Sequence, residues 1–260
     1  MQFTREINGL KVTAEYSQES IWKIFIPLLK HLTALQKQCG RRILVMLAAP
    51  PEAGKSTLVN FLQYLSETTP DITPITAIGM DGFHRYQDYL LTHTTIRNGE
   101  EILMVKVKGA PETFDLEGLT ARIRKLHRDE VCPWPEYSRT LHNPVEGTVQ
   151  VQGDIVLIEG NYLLLDLPGW RDLKNHADYT ICIQAEVEDL RDRLINRKQR
   201  EGVNHKDAVS FVDNSDLPNA RLCIERTMGA DLVLRLEKDE SYSCAEGIFK
   251  IDEDKDFDIK

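Results

Sequence analysis

With 260 residues and 42% hydrophobic content, the chain carries enough apolar sequence for one large core or two small ones. Its formal net charge of −9 and sequence pI near 5.3 lack the basic surplus of a nucleic-acid binder, so no nucleic-acid partner is expected. No apolar run approaches the ~20 residues of a membrane span, so no membrane partner is expected either.

In chain order, Ile21, Ile24, Phe25, Leu28, Leu29, Leu32 and Leu35 recur at helical spacing over residues 19–38. Pro27 is expected to split or kink that helix and Gly40 to end it. Residues 1–40 therefore read as an N-terminal helical extension. Ile43-Leu44-Val45-Met46-Leu47-Ala48 is an apolar run of strand length, and Leu58, Phe61, Leu62 and Leu65 mark one face of a following helix. Ile75 to Met80 reads as a strand ending at Asp81. Residues 101–108 read as a short strand or hairpin arm, and 115–127 as a helix. Ile155-Val156-Leu157-Ile158 is a buried strand ending at Glu159. Tyr179 to Ile183 and Leu232 to Leu234 are further strands. Helices are predicted at about 187–200 and 219–228, the second capped by Asp216 with Pro218 in its first turn. Residues 237–260 form an acidic, weakly patterned tail whose end is expected to fray. Alternating strands and helices predict an α/β fold over a single domain, 1–260: a mostly parallel sheet covered by helices on both faces.

Met1-Gln2-Phe3-Thr4-Arg5-Glu6 lacks the basic-then-apolar layout of a signal peptide. The five cysteines, Cys39, Cys132, Cys182, Cys223 and Cys244, are scattered, with no Cys-x-x-Cys spacing. That pattern fits reduced thiols better than a disulfide framework or a zinc site, and a cytoplasmic location is expected.

The chemistry centres on Ala49-Pro50-Pro51-Glu52-Ala53-Gly54-Lys55-Ser56-Thr57, which lies between the apolar strand and its helix. Strand, tight loop and a helix opening on Gly-Lys-Ser is the context of a phosphate-binding P-loop. The helix start offers unpaired N–H groups and a positive dipole end to a polyphosphate. Lys55 would reach the β/γ-phosphates, and the Ser56 hydroxyl would ligate Mg²⁺. Two positions depart from the pattern: Ala49 stands for its first glycine, and Glu52 puts an acid in the loop. A bare carboxylate there repels a triphosphate, so Glu52→Gly is expected from sequence to tighten ATP binding. In open α/β sheets ligands sit at the carboxyl ends of strands. Glu159 ends an apolar strand in the layout that lets a carboxylate hold Mg²⁺ or its water. Asp81 is either a base for a substrate hydroxyl or a turn-forming Asp-Gly.

Four segments in this order resemble the phosphoribulokinase/uridine kinase family: the P-loop just quoted, Met80-Asp81-Gly82-Phe83-His84, Lys108-Gly109-Ala110-Pro111-Glu112-Thr113-Phe114-Asp115, and Ile158-Glu159-Gly160-Asn161-Tyr162-Leu163-Leu164-Leu165. The resemblance covers roughly residues 7–235. It is closest to the branch of bacterial nucleoside- or fructose-kinase-like proteins, with pantothenate kinase more distant. It implies a P-loop NTPase fold with a small helical lid at about 187–215. ATP and Mg²⁺ are the implied cofactors, and a small-molecule substrate the implied partner. By position, Lys55, Ser56 and Thr57 match the phosphate- and Mg²⁺-binding residues, Asp81 the catalytic base, and Glu159 a Walker-B-like carboxylate. Arg193 and Arg197 fall where lid arginines lie over the phosphates. Four residues apart, they share a helix face, with Val187, Leu190 and Leu194 on the packing face, and the alternative is a solvated flank. Glu52 stands where close relatives usually have glycine.

Further positions stay open between two readings. Tyr137 and Arg139, in Trp134 to Pro144, either line an acceptor pocket or sit on a surface loop ordered by prolines. Lys108 to Asp115 is a substrate-facing loop or a helix entry capped by Asp115. Asp213 to Asn219 lies near the adenine or only caps a helix. Asn161 bonds substrate or forms a turn, and His84 is grouped with the substrate residues. His127-Arg128-Asp129 is set aside as a kinase catalytic loop because Trp134 stands where its Asn belongs. The expected activity is ATP-dependent transfer of a γ-phosphoryl group to a hydroxyl of a sugar, nucleoside or vitamin-like metabolite. The alternative is a non-enzymatic, regulatory or decayed P-loop protein, from which Asp81 separates it, because a switch needs no base.

Overall fold

The computed structural model describes residues 1–7, 10–97 and 99–247, so the expected fraying of 248–260 lies outside the described residues. The chain opens with a hairpin, β1 (Gln2–Ile7) antiparallel to β2 (Leu10–Glu15). This corrects the reading of 1–40 as helical throughout: Phe3 alternates with exposed neighbours, the period of a strand rather than a helix. The expected helix then follows in pieces. α1 (Gln18–Ser20) is capped by the Ser17 hydroxyl, a π-helical turn covers Ile21–Phe25, and α2 (Ile26–Cys39) completes it. The widened turn sits where Pro27 demands it. A regular turn would drive the proline ring into the Lys23 carbonyl, and Ile26 N–H instead bonds to Ile21 O, five residues back. Gly40, at φ 63°, ends α2.

The P-loop unit follows as β3 (Ile43–Ala48) and α3 (Lys55–Thr68), then β4 (Ile75–Gly79), α4 (Gln87–Thr92) and a small hairpin of β5 (Thr94–Arg97) and β6 (Glu100–Leu103). After α5 (Leu116–Leu126) comes a second hairpin, β7 (Cys132–Ser138) and β8 (Asn143–Val151), which takes in most of the segment read from sequence as a loop, either lining an acceptor pocket or ordered by its prolines. Pro133 and Pro135 are tolerated because this ribbon is only two-stranded, leaving edges where no N–H is needed. β9 (Ile155–Gly160), β10 (Tyr179–Gln184), α6 (Val187–Arg200), α7 (His205–Phe211), α8 (Leu217–Arg226), β11 (Leu232–Leu236) and β12 (Tyr242–Gly247) complete the order. Asp216 does not cap α8: a π-helical turn, Val212–Asp216, runs straight into it, so Asp216 is itself helical and makes no side-chain cap. Part of the region read as a tail, β12, is a strand of the main sheet.

That sheet has six strands in the order β12-β11-β10-β3-β9-β4, parallel except for the edge strand β12. Every residue of β3 and β9 is buried, as a sheet covered on both faces requires. Alternate β3 residues feed opposite cores: Ile43, Val45 and Leu47 meet Phe25, Leu28 and Phe61, while Leu44 and Met46 meet Trp134, Phe114 and Tyr162. The predicted mostly parallel P-loop NTPase sheet is the fold observed.

The turn after β4 is fixed by close packing. Trp134, fully buried, donates from Nε1 to Gly79 O at 2.8 Å, and a Cβ on Gly82 would lie 2.0 Å from the Pro135 carbonyl oxygen. Gly82→Ala must therefore push the Asp81 turn away from β7, an overpacking cost of about 1–3 kcal/mol. Thermal unfolding should show a Tm lowered by about 3–10 °C; an unchanged Tm would mean that the β7 backbone gives way freely.

Candidate active site

Three neighbouring parallel strands deliver the predicted residues to one edge of the sheet. β3 ends at Ala48 and enters the P-loop; β9 ends at Glu159 and Gly160; β4 ends at Gly79, two residues before Asp81. Their register aligns Leu47 and Gly79 with Glu159 on either side. The loop is held by Ala49 N–H bonding to Gly160 O (3.3 Å) and Ala53 N–H to Pro50 O (3.3 Å). Gly54, at φ 76°, turns the chain into α3, and a Cβ there would approach the Tyr242 hydroxyl to 2.9 Å. That hydroxyl donates to Ala53 O at 3.1 Å. Among the described residues Lys55 makes no ion pair, so its ammonium is available at the N-terminus of the 14-residue α3.

The Ser56 hydroxyl donates to Glu159 Oε1 at 2.7 Å. Glu159 is buried, and that burial raises its carboxyl pKa, with Asp81 adding to the rise and Lys55 and Ser56 opposing it. Two hard oxygen donors in contact beside a phosphate loop suit Mg²⁺, which takes few protein ligands and keeps water and phosphate oxygens. Among the described residues no cluster of three His, Cys, Asp or Glu residues forms a metal cage. Asp81 sits in a 3₁₀ turn, Met80–Phe83, whose backbone is used locally: Asp81 O accepts His84 N–H at 3.1 Å and lies 2.8 Å from His84 Nδ1. Its carboxylate has no hydrogen-bond partner among the described residues.

His84 packs on Phe114 (centroids 4.0 Å apart) and Tyr137 (5.0 Å). Burial lowers its pKa, which Asp81 opposes and Lys108 reinforces. Tyr137 is half-buried on β7, and burial together with Asp81 raises its hydroxyl pKa. Lys108 stands over the Tyr137 ring at 5.2 Å and donates to Gln87 Oε1 (2.7 Å) and His142 O (3.2 Å), both neutral acceptors. Asp115 caps α5, accepting from Gly118 N–H, as the helix-entry reading of 108–115 expects. Asn161 follows Glu159 and Gly160, and its buried Oδ1 has no hydrogen-bond partner among the described residues. Asp213 pairs outward with Arg191 at 2.7 Å.

α6 lies against the P-loop. Arg197 Nη1 bonds to Glu52 Oε1 at 2.9 Å and Arg193 Nη1 to Glu52 O at 3.5 Å. Leu190 and Leu194 of the same helix are buried, as the spacing predicted. Arg139 reaches Glu201, just past α6, at 3.7 Å rather than closing on Tyr137.

No protein-family model matches the chain. It is 38% identical over 243 residues to "Uncharacterized protein YggC" of Escherichia coli (strain K12), covering 93% of this chain and 98% of that protein. It is 27% identical over 225 residues to a candidate uridine kinase, C227.14, of Schizosaccharomyces pombe, covering 84% and 90%. Among solved structures it is similar to a candidate fructose transport system kinase from Silicibacter sp. TM1040, at 34% identity and TM-score 0.67, covering 78% of this chain and 98% of that one. The chain belongs to the phosphoribulokinase/uridine kinase family of P-loop kinases.

In this member of the P-loop kinase family the sequence left three neighbours of the site unnamed: Glu201, Glu240 and Tyr242. Lys108 entered only as part of a loop. Glu201 and Glu240 became visible through their partners Arg197 (3.2 Å) and Arg193 (3.3 Å), and Tyr242 through Ala53. None of these three lies in a spaced motif; each is brought in by a loop or strand outside the quoted segments.

Proposed function

We propose that the chain is an ATP-dependent kinase that transfers the γ-phosphoryl group to a hydroxyl of a small metabolite of the sugar, nucleoside or vitamin-like class. The observation that supports it best is the shared edge of β3, β9 and β4, which combines Lys55 and the Asp81 carboxylate, neither in an ion pair or side-chain hydrogen bond among the described residues, with the Ser56–Glu159 contact. A P-loop switch has no use for the Asp81 carboxylate.

Lys55 and the N–H groups opening α3 hold the β- and γ-phosphates, with Ala49 to Thr57 as the cradle. Ser56 and Glu159 hold Mg²⁺, which neutralises charge on the phosphates when bound. Asp81 takes the proton of the acceptor hydroxyl as the new O–P bond forms. His84, Tyr137, Arg139 and Asn161 line the acceptor side. A buried, unpartnered Asn161 Oδ1 suits a hydroxyl donor, because buried acceptors otherwise stay bonded. Arg193 and Arg197 close over the phosphates from a lid at about 187–215, within one kinase domain. Free thiols at all five cysteines suit a reducing cytoplasm, and no helix among the described residues is long and apolar enough to cross a membrane.

A panel of hydroxylated metabolites incubated with protein and Mg²⁺·ATP, read as ADP release, tests the reading. Release that depends on one acceptor class is expected. Lys55→Ala should remove most ATP affinity in a calorimetric titration, because the N–H groups are left to hold the phosphates alone. Unchanged binding in that variant would sink the P-loop assignment.

A further inference from the structure

Glu52 adopts φ 61°, a left-handed conformation that glycine takes freely and a residue with a Cβ resists. It is the one residue of the P-loop that makes side-chain and backbone contact with α6 among the described residues. Its carboxylate accepts from Arg197 at 2.9 Å and its carbonyl from Arg193 at 3.5 Å. Beyond them, Glu201 and Glu240 hold the same two guanidinium groups, at 3.2 and 3.3 Å. An exposed ion pair contributes little. This one is shielded, with side-chain exposure of 23% for Glu52 and 33% for Arg197, and the strained backbone places the acid under α6.

We infer that Glu52 is a positioning residue that tethers α6 to the phosphate loop, so that Arg193 and Arg197 already stand at the mouth of the cradle before nucleotide arrives. The inference rests on the reading of α6 as the lid. It reverses the sign expected from sequence. A bare acid repels the triphosphate, but an acid neutralised by Arg197 presents no free charge, and the ordering of α6 is no longer a cost of binding. Removing Glu52 therefore weakens ATP binding.

Amide hydrogen exchange of the free protein and titration with Mg²⁺·ATP, on the parent, Glu52→Gly, Glu52→Asp, Arg197→Ala and the Glu52→Gly/Arg197→Ala pair, decide it. Glycine suits φ 61°, so the first variant folds. Glu52→Gly should speed exchange across 187–200 by about tenfold while β3 and α3 stay protected. It should raise the ATP dissociation constant by roughly three- to tenfold. Glu52→Asp should fall between parent and glycine variant. The double variant should lose no more than Arg197→Ala alone, because the two act through one contact. Unchanged exchange in α6, or ATP binding that is equal or tighter in Glu52→Gly, overturns the tether. A parent that fails to bind Mg²⁺·ATP overturns the proposed function instead, and the exchange comparison still decides the tether.

Discussion

Asp81→Asn is expected to slow phosphoryl transfer by about 10²- to 10⁴-fold and to leave ATP binding nearly intact. The reason lies in how the turn is built. Asp81 fixes the local backbone through its carbonyl, which His84 uses, and not through its carboxylate, which has no partner among the described residues. Asparagine keeps the shape and the turn and removes only the ability to take a proton. In the proposed function the nucleotide sits at the other strand ends, β3 and β9, so its affinity should hold. Steady-state kinetics on an identified acceptor, with calorimetry for ATP, separate the two effects. Equal kcat in variant and parent would take Asp81 out of the mechanism.

Arg197→Ala, and separately Arg193→Ala, should lower kcat by about 10³-fold, far more than either raises the ATP dissociation constant. Phosphoryl transfer is catalysed chiefly by positioning and charge stabilisation, and an arginine over the transferred group supplies both. Arg197 is set between Glu52 and Glu201, which fix its planar fork in the free protein. Lysine at 197 should rescue only in part, because a point charge cannot span the same partners. Single-turnover kinetics at saturating ATP measure the step. A full rate in both alanine variants would return the arginines to the role of a solvated flank.

The parts of the fold that follow one repeating pattern were legible. β3, β9 and β10 are continuous apolar runs, and α3 and α6 show their buried stripes plainly. What escaped was built from local exceptions. The Pro-Trp-Pro start of β7 reads as a breaker, yet Trp134 is buried and its strand has a free edge where prolines do no harm. The strands of the N-terminal hairpin are short, and β1 has only one buried residue, Phe3. At the candidate site, Lys55, Ser56, Asp81 and Glu159 could be singled out in sequence because each ends or follows a strand or opens a helix. Tyr242 could not, because no spacing links it to the P-loop. Glu52 is the instructive case. Its identity and its departure from glycine were plain from sequence, but its partner lies 145 residues away, and the partner decides whether its charge repels or holds.

The Tyr242 hydroxyl bonds to Ala53 O across 189 residues, and its ring lies 6.5 Å from that of Tyr16, which stacks in turn on Phe61 of α3 at 4.1 Å. The phosphate loop is thus a keystone, locked by pieces from opposite ends of the sequence. A ribosome that has released the first βα unit has made every residue of the motif but not the strand that braces it. The bond that braces Ala53 therefore forms only after β12 has emerged and docked, so the loop gains that support late in synthesis.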